Sequence, residues 1–260
     1  MIRVLIPAYN EAESLDDVLP RIPGSVAGHP IRTLVVSDGS TDDTLAVAGR
    51  HLCDVVGLPH NRGKGAALRR GFAEIRGESH AALVLMDADG QHDPARIVDL
   101  SAPVLDGSAD MVVGSRYLGA VGRGCTPRNR YAVRCVTCAV LRRVLGITVT
   151  DPFSGYRVLS PSAEAAATCE GDRYESELEL LFAATTAGLT VDVSPVTPVY
   201  TGATSNKGVR HGRLRGRIEV VSGYARTISH HACRSHAEPM APCRTPHALT
   251  DSWSARGSTA

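Results

Sequence analysis

Two carboxylates separated by a single residue follow an apolar run in the first half of the chain. The run Ala82–Met86 stops at Asp87, and Asp89 lies two positions later. A buried strand that ends in such a pair would direct both charges into the cleft beyond it. Carboxylate oxygens suit Mg²⁺ or Mn²⁺, and Gln91 could add a neutral oxygen. Because a divalent ion would neutralise a diphosphate, this stretch predicts an enzyme acting on a nucleotide-linked sugar.

Polar residues also follow two earlier apolar runs. Ile2–Ile6 precedes Tyr9–Glu11, and Ile31–Val36 precedes Ser37 and Asp38. Helical segments separate these runs, which predicts an α/β fold with a single doubly wound, mostly parallel sheet and helices on both faces. In such sheets ligands bind outside the carboxyl ends of the strands. We therefore expect these polar groups to meet at one nucleotide-binding edge.

The pattern changes beyond Arg116. Apolar residues at helical spacing predict a helix over Tyr131–Leu145, and another is predicted over Tyr174–Ala187. The segment Asp151–Arg157 between them is rich in turn-forming residues, and Val191–Tyr200 reads as a final strand. We expect this half of the chain to bind the acceptor.

The predicted organisation is one domain and a tail. Residues 1–228 would form the domain, with a nucleotide-sugar half at 1–115 and an acceptor half at 116–228. Residues 229–260 are rich in His, Cys, Pro, Ser and Ala without hydrophobic periodicity, which predicts a disordered tail.

Composition limits the class of protein. The 260 residues are 43% hydrophobic and 21% charged with a net charge of +1, which is globular and argues against a nucleic-acid partner. No apolar stretch reaches the roughly 18 residues of a membrane span. The start is not a secretory signal, because its short apolar run is broken by Pro7. Seven cysteines without framework spacing favour a reducing, cytoplasmic location.

Two basic features each have two interpretations. Gly63-Lys64-Gly65 precedes a predicted helix, so it is either a phosphate cradle or a tight turn; the turn is favoured because P-loop spacing is missing. The run from Lys207 to Arg217 carries five cations and no acid. It is either a solvated face or a surface that meets phosphate or membrane.

Six motifs in order resemble those of family 2 glycosyltransferases. The resemblance is strongest to the branch of dolichol-phosphate mannose synthases and bacterial polyprenyl-phosphate glycosyltransferases, and it covers roughly residues 2 to 217. The motifs are Ile6–Glu11, Val36–Asp42, Asn61–Gly65, Asp87–His92, Gly114–Tyr117 and Asp151–Arg157.

This resemblance implies a GT-A fold, inversion at the anomeric carbon, and roles for individual residues. The nucleotide sugar would be bound by Pro7, Tyr9, Glu11, Val36, Asp38, Asp87, Ala88, Asp89 and Lys207. Mg²⁺ or Mn²⁺ would be held by Asp87, Asp89 and Gln91. Donor or acceptor phosphate would meet Arg116, Arg130 and Arg134. The family usually has two acids where this chain has Ser37 and Asp38.

The predicted reaction is a direct displacement at the sugar. A polyprenyl phosphate acceptor is ionised at neutral pH, so cations need only position it, and the enzyme would contact the membrane peripherally at its inner face. A soluble hydroxyl acceptor would need a carboxylate base. The expected catalytic residues are Asp89, Arg116, Asp151 and Glu177, the last two being the candidate bases. The alternatives are a hydroxyl acceptor, a sugar nucleotidyltransferase, and a non-catalytic nucleotide-sugar-binding module.

Overall fold

The structure is a computed structural model, and it describes residues 1–118, 128–146, 148–172, 175–197 and residue 199. The predicted tail, Lys207 and the basic run beyond it lie outside these residues. The strands are β1 Ile2–Ala8, β2 Ser25–Val26, β3 His29–Ser37, β4 Asp54–Gly57, β5 Ala82–Leu85, β6 Met111–Ser115, β7 Arg157–Leu159 and β8 Val191–Pro195. The helices are α1 Ala12–Val18, α2 Thr44–Arg50, α3 Lys64–Ile75, α4 Ile97–Leu105, α5 Arg128–Leu145, α6 Pro161–Ala166 and α7 Ser176–Thr186. Short 3-10 turns occupy Leu19–Arg21 and Pro94–Arg96.

The strands form one sheet in the order β2-β3-β1-β5-β7-β6-β8, and β4 also pairs with β3. Pairing is parallel between β1 and both of its neighbours, between β3 and β4, and between β6 and β8. Strand β7 lies antiparallel between β5 and β6, and the two-residue strand β2 pairs antiparallel with β3. The mostly parallel sheet is therefore confirmed. Strand β7 begins at Arg157, the last residue of the segment predicted to be turn-rich.

Helices cover both faces of the sheet because the strands present apolar side chains on both. In β1, Val4 and Ile6 pack into the core beneath α1, α2 and α4, whereas Leu5 packs into the core beneath α3 and α7. Successive side chains of a strand point to opposite faces, so β1, which is apolar except for Arg3, is suited to burial on both. Among the described helices, none has the length and apolarity required to cross a membrane.

Gly39 fixes the turn that follows β3. Its φ is +69°, and a Cβ atom there would collide with the backbone of His60 and Asn61. Only glycine adopts this conformation at low cost and allows that approach. The close contact brings the loop after β3 against the loop that leads into α3.

We expect Gly39→Ala to destabilise the protein by more than about 1 kcal/mol, because it combines an unfavourable φ with a backbone clash. Gly49→Ala is the matched control, since Gly49 lies in α2 and a Cβ atom added there would meet no atom within 4 Å. The control should be neutral or stabilise by up to about 1 kcal/mol. Urea unfolding of both variants tests this; equal stabilities would contradict the role of Gly39.

Candidate active site

The carboxyl ends of four strands lie at the same edge of the sheet. Strand β1 pairs in parallel with β3 and β5, so the residues after Ala8, Ser37 and Leu85 emerge side by side. Strands β5 and β6 both run antiparallel to β7, so β6 also ends at this edge and β7 begins there. The polar groups predicted to lie at one edge are therefore found there. The residues that follow β6 and those that precede β7 lie at the same edge.

Asp87 and Asp89 lie at this edge with different electrostatic surroundings. The Lys64 ammonium is 2.5 Å from Asp87 Oδ1, and Asp89 Oδ1 accepts a hydrogen bond from the Gln91 N–H at 3.0 Å. Burial alone would raise the pKa of Asp87, but the charge and hydrogen bond of Lys64, together with the charges of His92 and Arg116, outweigh burial and the pKa is lowered. Burial and the negative charge of Asp87 raise the pKa of Asp89 to about 6. Burial and the charge of Asp87 thus disfavour the ionised form of Asp89, and a further cation beside it would stabilise that form.

The residues fit a divalent metal. Within the described ranges there is no group of three or more His, Cys, Asp and Glu residues that could hold one. The acid pair and the side-chain amide oxygen of Gln91 would thus provide an incomplete set of oxygen ligands. Mg²⁺ and Mn²⁺ sites in which substrate phosphates and water complete the coordination have this composition.

His92 and Tyr156 support the loop that carries the two acids. The buried His92 ring stacks on Tyr156 at 4.8 Å between centroids, and its Nδ1 accepts a hydrogen bond from the Asp87 N–H at 3.4 Å. Burial lowers the pKa of His92 to about 4, so the ring is neutral and free to accept at neutral pH. The Tyr156 hydroxyl donates to the Asp93 carbonyl at 3.0 Å. Sequence reasoning did not identify this support, because Tyr156 is distant in the chain.

Asp38 organises a neighbouring loop. Its carboxylate oxygens accept hydrogen bonds from the backbone N–H groups of Arg62 at 2.8 Å and Gly63 at 2.7 Å. These contacts pin the turn into α3 against the end of β3. Contact between Asp38 and the nucleotide stays a prediction.

The other predicted nucleotide-binding residues surround the same edge. Tyr9 is exposed, and the Glu11 N–H donates to Thr44 Oγ1 at 3.0 Å while its carboxylate accepts from Ser14. The remaining members are Pro7 and Val36, which lie near the ends of β1 and β3, and Ala88, which is buried between the two acids.

Beside the acids, the partly exposed Arg116 forms an ion pair with the buried Asp151. The Arg116 side chain donates from Nε to Oδ2 at 2.7 Å and from Nη2 to Oδ1 at 3.1 Å, and its backbone N–H donates to Oδ2 at 3.2 Å. Asp151 is fully buried. Both carboxylate oxygens are engaged, which suits a residue that orients Arg116 better than one that accepts a proton from substrate.

Arg134 is held by two aromatic rings in the segment after β6. Its guanidinium carbon lies 4.3 Å from the ring centre of Tyr117 and 4.5 Å from that of Tyr131, and Nη1 donates to the Thr150 carbonyl at 2.7 Å. Such cation–π contacts hold a cation in place while leaving it charged. The side chain of Arg130, like the whole of Lys207, lies outside the described residues.

Glu177, the second candidate base, is also engaged. It lies in the first turn of α7, is buried, and accepts from Lys64 Nζ at 2.7 Å. Lys64 was predicted only as part of a turn or phosphate cradle. The sequence does show a lysine at the start of a predicted helix that follows a strand. It does not indicate Glu177 as the partner of that lysine, because the two residues are 113 positions apart.

The comparisons with known proteins agree with this geometry. The profile of Glycosyl transferase family 2 matches residues 3–160. The polyprenol monophosphomannose synthase of Mycolicibacterium smegmatis is 29% identical, covering 86% of this chain and 91% of that protein. The undecaprenyl-phosphate mannosyltransferase of Micrococcus luteus is also 29% identical, covering 75% and 82%.

A solved structure supports the same conclusion. Glucosyl-3-phosphoglycerate synthase from Mycobacterium tuberculosis, in complex with Mn²⁺ and uridine-diphosphate-glucose, aligns with a TM-score of 0.60 at 27% identity, covering 80% of this chain and 76% of that one. This likeness confirms the GT-A fold. With the family profile spanning more than half of the 260 residues, the chain belongs to glycosyltransferase family 2 and is a glycosyltransferase.

Proposed function

We propose that this glycosyltransferase moves a hexose from a nucleoside-diphosphate sugar to a polyprenyl phosphate, with inversion at the anomeric carbon and with a divalent metal held by Asp87, Asp89 and Gln91. The observation that carries the acceptor assignment is that both candidate bases, Asp151 and Glu177, are buried in ion pairs. A phosphate acceptor needs no base at neutral pH, whereas a hydroxyl acceptor does.

On the donor side, the raised pKa of Asp89 and its position beside Asp87 support a metal-bound diphosphate. When bound, the ion would supply neutralising charge to the departing nucleoside diphosphate. The complex of Mn²⁺ and uridine-diphosphate-glucose in the mycobacterial synthase supports a divalent metal, with either Mg²⁺ or Mn²⁺ suited to these ligands. Exposed Tyr9 and the loop fixed by Asp38 would contact the nucleoside.

On the acceptor side, Arg116 and Arg134 would position the lipid phosphate. Asp151 holds the Arg116 guanidinium in a fixed orientation, and the rings of Tyr117 and Tyr131 hold that of Arg134. A phosphate oxygen would attack the anomeric carbon as the bond from that carbon to the nucleoside diphosphate breaks. Because this acceptor is already ionised, the protein needs to position it and needs no base to remove a proton.

Polyprenyl phosphate also sets where the enzyme would work. Its hydrocarbon chain lies in a bilayer, so the phosphate is presented at the membrane surface. The protein would therefore approach the inner face of the membrane from the cytoplasm as a peripheral protein. The relatives named as polyprenol monophosphomannose synthase and undecaprenyl-phosphate mannosyltransferase support such an acceptor.

The test is an acceptor comparison with one chemical difference. Purified protein is incubated with a panel of nucleotide hexoses and Mn²⁺, with polyprenyl phosphate, with polyprenol, or with a soluble phosphoglycerate as acceptor. Mass spectrometry measures glycosylated product and released nucleoside diphosphate. We expect transfer to polyprenyl phosphate and none to polyprenol. Faster transfer to a hydroxyl of either other acceptor would contradict the proposal, and transfer to phosphoglycerate would favour the soluble-acceptor alternative.

A further inference from the structure

A lysine lies between two carboxylates at the base of the site. Lys64 Nζ is 2.5 Å from Asp87 Oδ1 and 2.7 Å from Glu177 Oε1. The side chain of Asp87 is 28% exposed, whereas that of Glu177 is 5% exposed. Asp87 therefore opens toward the cleft, and Glu177 lies on the closed side of the lysine. The ammonium group occupies the position of a counter-cation for a predicted metal ligand.

The surrounding structure confines these three charges. Lys64 begins α3 and Glu177 lies in the first turn of α7, so both backbones are anchored in helices. At Gly155, an added Cβ atom would collide with the Asp87 carboxylate and the Lys64 ammonium. Burial favours a neutral lysine, but the charges of Asp87 and Glu177 outweigh it and raise the pKa of Lys64. The group is therefore a cation held between two carboxylates.

This arrangement has a consequence for metal binding. A divalent ion on Asp87 would lie within a few ångströms of the Lys64 ammonium, and like charges at such distances repel strongly in a partly desolvated site. Glu177 offers the lysine a second carboxylate on the far side from the cleft. Because Lys64 already contacts Glu177, it keeps one carboxylate partner if a second cation displaces it from Asp87.

We propose that Lys64 is a resident counter-cation of Asp87 that competes with the divalent metal, and that Glu177 is a positioning residue that draws Lys64 away from Asp87 when the metal binds. The inference rests on the proposed metal site. It gives Glu177 a role other than that of a base. Lys64 would contact Asp87 again when the metal and the nucleoside diphosphate leave.

The two partners should have opposite effects on metal affinity. Lys64→Met removes the competing cation and should tighten Mn²⁺ binding by about tenfold, because a like charge a few ångströms from the ion repels it. Glu177→Gln removes the alternative partner of Lys64, so the lysine stays on Asp87 and Mn²⁺ binding should weaken by about tenfold. Electron paramagnetic resonance of free Mn²⁺ measures both at pH 8, with GDP or UDP present.

Glu179→Gln is the matched control. Glu179 is a second buried acid on α7, and it accepts from the Gly171 N–H at 3.0 Å, a bond that glutamine can keep. Its variant should bind Mn²⁺ like wild type. Circular dichroism checks folding, and if one of the two test variants does not fold, the sign measured for the other decides.

Two outcomes overturn this inference alone. If both Lys64→Met and Glu177→Gln weaken Mn²⁺ binding, Lys64 orients Asp87 for the metal and does not compete with it. If neither differs from wild type, the ion pairs are unrelated to metal affinity. A wild-type protein that binds no Mn²⁺ with either nucleotide would instead refute the metal assignment of the proposed function together with this inference.

Discussion

Asp89→Asn should abolish sugar transfer and leave the protein folded. Loss of a charged metal ligand removes several kcal/mol of stabilisation from the departing diphosphate, which corresponds to a decrease in kcat/KM of at least about a thousandfold. Stability should not fall, because Asn can still accept from the Gln91 N–H. The raised pKa of Asp89 means that its ionised form is disfavoured in the folded state, so a neutral replacement at pH 7 is neutral or stabilising.

Asp93→Asn is the control for this substitution. Asp93 is nearby in sequence, but its carboxylate pairs with Arg21 at a partly exposed site and accepts from the Ala95 N–H, a bond that Asn can keep. Activity and melting temperature of this variant should match wild type. Wild-type turnover by Asp89→Asn in the presence of Mn²⁺ would remove Asp89 from the catalytic residues.

Asp151→Ala should lower stability and activity together. The substitution leaves the Arg116 guanidinium, whose side chain is only 22% exposed, without the carboxylate that accepts three of its hydrogen bonds counting the backbone N–H. Removing one partner of a buried ion pair costs about 3–5 kcal/mol, and partial exposure of Arg116 favours the lower end. Urea unfolding measures the loss of stability, and kcat/KM should fall because Arg116 is no longer oriented.

A double variant separates orientation from proton transfer. Replacing both partners, as Arg116→Met with Asp151→Leu, should recover much of the lost stability while activity stays low. Asp151→Asn is the test of a base role. If Asp151 were the base, this variant would regain activity as pH rises. We expect no such recovery, and a rate that climbs with pH would contradict the assignment of Asp151 as a positioning residue.

Much of the fold of the nucleotide-sugar half, residues 1–115, could be predicted from the sequence, because the patterns that indicate it are local. Each of β1, β3 and β5 is rich in apolar residues and is closely followed by polar residues, and parallel pairing places those polar residues together without further information. The predicted strands over Ile2–Ile6 and Ile31–Val36 lie within the observed β1 and β3.

The fold and contacts of the acceptor half were less predictable, because they join residues that are far apart in the sequence. Strand β7 has only three residues, too few for periodicity to identify, and its antiparallel direction follows from pairing with strands far along the chain. Lys64 and Glu177 are 113 positions apart. No local pattern indicates that such residues meet, so the ion pairs of Glu177 and Asp151 appear only in three dimensions.

The proposed function requires the acid pair, Asp87 and Asp89, to bind a nucleotide sugar through a divalent metal. Calorimetric titration of the accepted nucleotide hexose into the wild-type protein, with Mn²⁺ and then with EDTA, tests it most directly. We predict that donor binding requires the metal and weakens at least about tenfold in EDTA, as expected when a charged diphosphate loses its principal counter-charge. Equal donor affinity with Mn²⁺ and with EDTA would contradict the claim.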